Sequence, residues 1–260
     1  GGGFLGTAGV LDFAGGIVVH LNAGIAGLAC ALVLGPRRGY GHDYMAPHDL
    51  VLTLVGTSLL WVGWFGFNAG SALASGELAG SAMLNTHVSA ATAALVWMSI
   101  EWASRGKPSV LGVLSGAVAG LGMITPAAGY VEPWAALLIG LVAGSSCYWA
   151  SVILKTKLGY DDSLDVFGVH GMGGIVGSIL VGVFATRLVN DVAKGGPVGL
   201  VDGKGGLILT QLYAVVIVGV FSFVATWVIL KLVDALVGLR VAPDEETEGL
   251  DTVLHGERVQ

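Results

Sequence analysis

Apolar runs recur along the chain at the length a bilayer demands. A hydrocarbon core of about 30 Å takes about 20 residues of helix, and runs of that size fall at 12–36, 49–72, 80–102, 109–127, 133–154, 165–186 and 206–238. They predict an all-α polytopic membrane protein, with a transmembrane helical domain over 1–238 and a soluble tail over 239–260. The first run is no signal peptide, because no basic stretch precedes it and Asp12 opens it. Glycines four apart, at Gly112/Gly116/Gly120, Gly140/Gly144 and Gly173/Gly177, place small faces on three of these helices and predict close helix crossings.

Composition agrees. Charged residues are 12% of the chain and glycine 43 of 260, against about 25% charged and about 7% glycine in soluble domains. That makes a soluble globular enzyme improbable. Of the net charge of −6, four units sit in the tail, where Asp244, Glu245, Glu246, Glu248, Asp251 and Glu257 outweigh Arg240 and Arg258. No basic patch exists, so nucleic acid is not an expected partner. Cys30 and Cys147 lie in apolar runs and read as small buried hydrophobes. Gly199–Gly205 has the wrong glycine spacing for a phosphate loop and no Ser/Thr after Lys204, so it reads as a plain loop.

The placement of basic residues orients the chain. Arg37 and Arg38 follow the first run, Arg105 and Lys107 the third, Lys155 and Lys157 the fifth and Arg240 the seventh, while 73–79 and 128–132 hold no Lys or Arg. The loop after the sixth run, with Arg187, Lys194 and Lys204 partly offset by Asp191 and Asp202, carries less weight. The chain therefore starts outside and ends with a cytoplasmic tail, as a multi-pass protein of the cell (inner) membrane. Its Gly1–Gly3 start without a methionine points to a further part upstream.

Ionisable residues inside spans are functional candidates, since each costs roughly 2.5–3.5 kcal/mol to insert. His20 falls about nine residues into the first run, some 13 Å deep at about 1.5 Å per residue. His170 falls early in the sixth run, which by parity travels the opposite way. Each reads alone as a hydrogen-bonded structural histidine. Two in glycine-flanked apolar settings favour a pair that passes a proton or lines a narrow polar path, because each neutral ring donates and accepts. Asp12 and Asp165 each open a helix, where a carboxylate suits the exposed amides and the dipole. Asp12 could also attract a cation at an outer mouth. His87 reads as structural or mouth-lining, and His42 and His48, beside Asp43 and Asp49, lack the second cluster that a metal site needs. In the ring-rich stretch Trp61–Ser71, Trp64 and its neighbours read first as an interfacial belt. The alternative is a ring surface holding a cation, with Ser71 adding an acceptor oxygen.

The stretches Asp12–Ala23 and Asp165–Gly174 resemble the two histidine signatures of the ammonium transporter (Amt/Mep/Rh) family. Trp64–Ser71, Thr125–Tyr130 and Gly238–Val241 resemble the same family in order and spacing, closer to the Amt branch than to the Rh branch. The resemblance covers essentially the whole chain. It implies an eleven-helix fold of two inverted five-helix repeats plus a long last helix, assembled as a homotrimer with one narrow pore per subunit. The seven helices here match the fifth to the eleventh. His20 and His170 would be the pore pair, Phe67 one of two gating phenylalanines, and Ser71 a contact of the recruited ammonium ion. Asp12 would support recruitment or deprotonation from behind, and the tail would dock a PII-type signalling protein. The second gating Phe and the Trp of the outer site would lie upstream of Gly1, so the chain is expected not to conduct alone.

The function implied is ammonium/ammonia transport: NH4+ recruited outside, deprotonated, and passed as NH3 along the histidines. A neutral-gas channel for ammonia or carbon dioxide, and an ammonium sensor signalling from its cytoplasmic side, stand as alternatives. No nucleophile–base pair, metal-ligand cluster or nucleotide loop is legible, so neither an enzyme nor a cofactor is expected.

Overall fold

In the computed structural model, residues 2–190 and 198–257 are described. Asp191 and Lys194 of the sixth loop and Arg258 of the tail, counted above among the charges, lie outside them. Seven long helices form a bundle: α1 Gly16–Leu34, α2 Leu50–Gly70, α3 Glu77–Arg105, α4 Val110–Ile124, α5 Pro133–Leu158, α6 Phe167–Phe184 and α7 Gly206–Val237. No strand occurs among the described residues. All helices except α3 and α4 are long and apolar enough to cross a membrane unaided. α3 has the length, at 29 residues, but buries Asn85, Thr86, Ser89 and Glu101. α4 has only 15 residues.

Those two helices belong to the bundle because others cover them. A Cβ at Gly116 or Gly120 of α4 would meet Trp97, Ala93 or Ser89 of α3, and one at Gly140 or Gly144 of α5 would meet Ser89, Thr92, Ala93 or Val96. The glycine faces legible in the sequence thus clamp α3 from two sides, where close packing takes the place of the hydrophobic effect. Several polar groups of α3 find partners inside this sandwich. Ser89 Oγ donates to the Gly120 carbonyl at 2.9 Å, and Asn85 Nδ2 donates to the carbonyls of Ala128 at 2.9 Å and Val131 at 2.7 Å. Glu101 accepts from the amide and hydroxyl of Ser109, which itself caps α4. The main core gathers around Met123, Ile124, Val131, Ile139 and Val181.

One end of the bundle is tied by charge. Arg37 grips Asp161 with two parallel bonds, Nε to Oδ2 at 2.8 Å and Nη2 to Oδ1 at 2.7 Å. Arg240 donates to the last carbonyls around α1, Leu34 at 3.1 Å and Pro36 at 2.9 Å, and holds Glu246 of the short helix Pro243–Glu248. The basic residues after the first, fifth and seventh runs therefore share one end of the molecule, as their parity requires. The Arg37 contact holds the Asp161 carboxyl below its ordinary range, and Arg240 does the same for Glu246.

Candidate functional site

α1 and α6 cross antiparallel and touch backbone to backbone. A Cβ on Gly24 would strike the Gly171 backbone, one on Gly27 would meet Val166, and one on Gly174 would meet Leu21 and Gly16. Positions thus advance along one helix as they retreat along the other, the opposed travel read from the loops. Both helices open in a wide π turn, Gly16–Leu21 and Phe167–Gly171, and each turn carries its histidine. Such turns break the regular ladder and recur at functional sites. His20 therefore lies only four residues past the start of α1, because residues 12–15 stay outside the helix and Gly15 turns at φ 114°. The sequence placed that start at residue 12.

The crossing brings the two rings together. Nδ1 of His20 lies 3.2 Å from Nδ1 of His170, with the rings nearly parallel at 5.3 Å and 12°. Two acceptors or two donors cannot share this contact, so one ring carries its proton on Nδ1 and the other does not. His20 is 4% exposed, and its Nε2 has no protein partner among the described residues. On its far side Trp64 stacks at 5.1 Å and 9°, and Phe67 stands edge-on at 6.2 Å. Trp64 is buried and its indole N–H donates to Thr125 Oγ1 at 2.9 Å, so the interfacial-belt reading fails for this ring. Phe67 is 39% exposed at the same end as Ser71, one turn further on. Ser71 Oγ donates to the Phe67 carbonyl at 2.8 Å, which leaves its lone pairs free to accept.

The Thr125–Tyr130 motif builds the wall behind α1. Phe13 donates its amide to the Pro126 carbonyl at 3.1 Å and meets Tyr130 edge-on at 5.5 Å. Gly129 leaves room for the Phe13 ring, and Gly16 for Pro126. Gln211 of α7 reaches in to hold both backbone groups of Leu11.

The carboxylates behave differently from one another. Asp12 caps α1, accepting the amides of Gly16, Ile17 and Val18. Asp165 does not cap α6, contrary to the sequence expectation. It sits at φ 54° and turns its side chain to Lys155, and α6 starts two residues later. The cap is Asp162, which accepts the amides of Val166 at 3.0 Å and Phe167 at 2.8 Å. Asp12 precedes His20 by eight positions and Asp162 precedes His170 by the same eight. That spacing was legible, but the aspartate nearer the signature hid it.

His170 also lines a cavity of about 1000 Å³ that reaches the charge-tied end, with Thr53, Ser115, Lys155 and Asp165 in its wall. His48, Asp43 and Asp49 border the same cavity, and Asp49 also caps α2. His87 is exposed and meets the rings of Trp61 and Phe65, apart from the pair.

Together these features define a polytopic helical membrane protein whose two signature helices cross at a paired-histidine, ring-lined site. The model of the Ammonium Transporter Family matches residues 1–260, and the chain belongs to that family. It is 52% identical to a putative ammonium transporter of Methanothermobacter thermautotrophicus, over 99% of this chain and 62% of that protein. It is 47% identical to an ammonium transporter of Bacillus subtilis, over 99% and 63%. Its fold matches the crystal structure of Candida albicans Mep2 at TM-score 0.87 and 38% identity, covering 94% of this chain and 55% of that one. A structure titled "Sensor Amt Protein" matches at TM-score 0.87 and 30% identity, covering 98% and 62%. The chain spans between about half and two-thirds of the length of the curated relatives it matches.

Proposed function

We propose that this chain is the histidine-bearing part of a transporter that moves ammonium across a membrane, parting it into ammonia and a proton at the mouth of a histidine-lined pore. The observation that carries this reading is the 3.2 Å contact of His20 and His170 inside an apolar crossing. A bare ammonium ion is too costly to bury unpaired. The rings of Phe67 and Trp64 and the free lone pairs of Ser71 suit its recruitment at the Asp12 end, by cation–π attraction and hydrogen bonding. Asp12 acts from behind, through the amides of the first turn of α1. Neutral ammonia then passes the two imidazoles, with the buried Nε2 of His20 as one hydrogen-bonding station.

The reading extends to a homotrimer in the cell (inner) membrane, with 239–260 on the cytoplasmic face, where a PII-type protein would dock. It is supported by the shared end of Arg37, Lys155 and Arg240 and by the exposed apolar face of α2, with Val51, Leu59 and Val62 outward. Ammonium-evoked current across liposomes, measured with the upstream half of a related transporter joined to this chain, tests it. His170→Ala abolishes the current and leaves assembly intact; undiminished current sinks the role of the pair. The likeness to the "Sensor Amt Protein" favours a second reading, as a sensor, which predicts ammonium binding without flux. A neutral-gas channel would shift internal pH without current.

A further inference from the structure

We infer that Lys155 is a positioning residue for His170, an inference that rests on the paired histidines being the transport site. Lys155 leaves the last turn of α5 and reaches both ends of the Asp162–Asp165 turn. Its Nζ donates to the Asp162 carbonyl at 3.2 Å and pairs with the Asp165 carboxylate. The turn it spans fixes the start of α6 by two further bonds. Asp162 caps the amides of Val166 and Phe167, and the Asp165 carbonyl accepts the Val169 amide at 2.8 Å. His170 is the next residue.

Two observations separate this from an incidental ion pair. Asp165 holds a left-handed backbone at φ 54°, a conformation that a non-glycine residue keeps only where its surroundings over-determine it. The equivalent turn before α1 uses glycine instead, Gly15 at φ 114°, and no Lys or Arg pairs with Asp12 among the described residues. His20 is also wedged by Trp64, whereas among the described residues the only ring stacked on His170 is His20 itself. His170 faces the cavity that Lys155 and Asp165 line, so packing alone does not fix its ring. Lys155 supplies from the polar side what Trp64 supplies to His20 from the apolar side.

The test uses the reconstituted protein, joined to the upstream half of a related transporter, with 15N-labelled histidine, the His170 signals being assigned through His170→Ala. Lys155→Met is expected to move the His170 ring resonances and leave those of His20 nearly in place. Ammonium flux should fall by about ten- to a hundred-fold, up to the cost of a 1 Å misplacement, and Lys155→Arg should recover most of it. Unmoved His170 resonances with unchanged flux would overturn the inference. If Lys155→Met fails to fold, Asp165→Asn removes the pairing with little change of shape and is expected to move the same resonances; unmoved signals there also overturn it. A folded, unsubstituted protein without ammonium flux would defeat the transport reading instead, and the His170 resonances would still decide the role of Lys155.

Discussion

The two histidine-bearing helix starts do the same job by different means. Each has an aspartate eight residues ahead of the histidine, a π turn around it and glycines where the helices cross. At the start of α1 the ring is held by packing, with Trp64 against its face and Ile17 and Leu21 buried beside it. At the start of α6 the ring borders a cavity and the turn before it is held by charge, through Lys155, Asp162 and Asp165. Matched local motifs thus sit in unmatched surroundings, with the histidine pair packed against Trp64 on one side and bordered by a cavity with charged walls on the other.

The largest effect should come from what the two halves share. Gly24→Leu drives a side chain into the Gly171 backbone, where no flexible group can yield. Overpacking costs up to about 3 kcal/mol or more, and size-exclusion profiles after detergent extraction should show little folded protein. If Gly24→Leu folds normally, the backbone contact is not what joins the halves. Next come the caps, each worth about 0.5–2 kcal/mol. Asp12→Ala should lower the melting temperature more than Asp162→Ala, because Lys155 still ties the α6 turn. The reverse order would remove the distinction between a packed and a clamped start.

A smaller change sharpens the comparison on the packed side. Trp64→Phe keeps a ring on His20 but leaves Thr125 Oγ1 without its donor, a loss of about 1 kcal/mol. Ring signals of His20 should move and those of His170 should not. The smallest effect belongs to the charged end and depends on pH. Asp161 and Glu246 have carboxyl groups held below their ordinary range by Arg37 and Arg240. A lowered folded-state value means stabilisation present at neutral pH and lost as pH falls through that value. Protection of the amides in Pro243–Glu248, relative to their intrinsic exchange rate at each pH, should therefore fall on acidification below the usual carboxylate range, while protection around Gly16–Leu21 holds. Equal responses at both ends would argue against a charge-tied end.

Much of this was legible in the sequence. The seven apolar runs match the seven helices to within a few residues and the glycine faces pack as their spacing implied, while His20 lies closer to its helix start than its run suggested. The class of fold is written in side-chain chemistry repeated over about 20 residues, which the bilayer itself enforces. What escaped depends on contacts between distant parts of the chain. Trp64 read as a belt residue because its partner Thr125 lies 61 positions away. Asp165 read as a cap because nothing local shows that it turns to Lys155, leaving Asp162 to the amides of α6. The π turns at Gly16–Leu21 and Phe167–Gly171 escaped too.

The central claim is that His20 and His170 share a ring contact through Nδ1. Solid-state NMR of the 15N-histidine protein in lipid measures it directly. The account predicts one ring protonated on Nδ1 and its neighbour not, with a through-space Nδ1–Nδ1 correlation that vanishes in His170→Ala. Two rings both protonated on Nε2 alone, or both charged, with no such correlation, would contradict it.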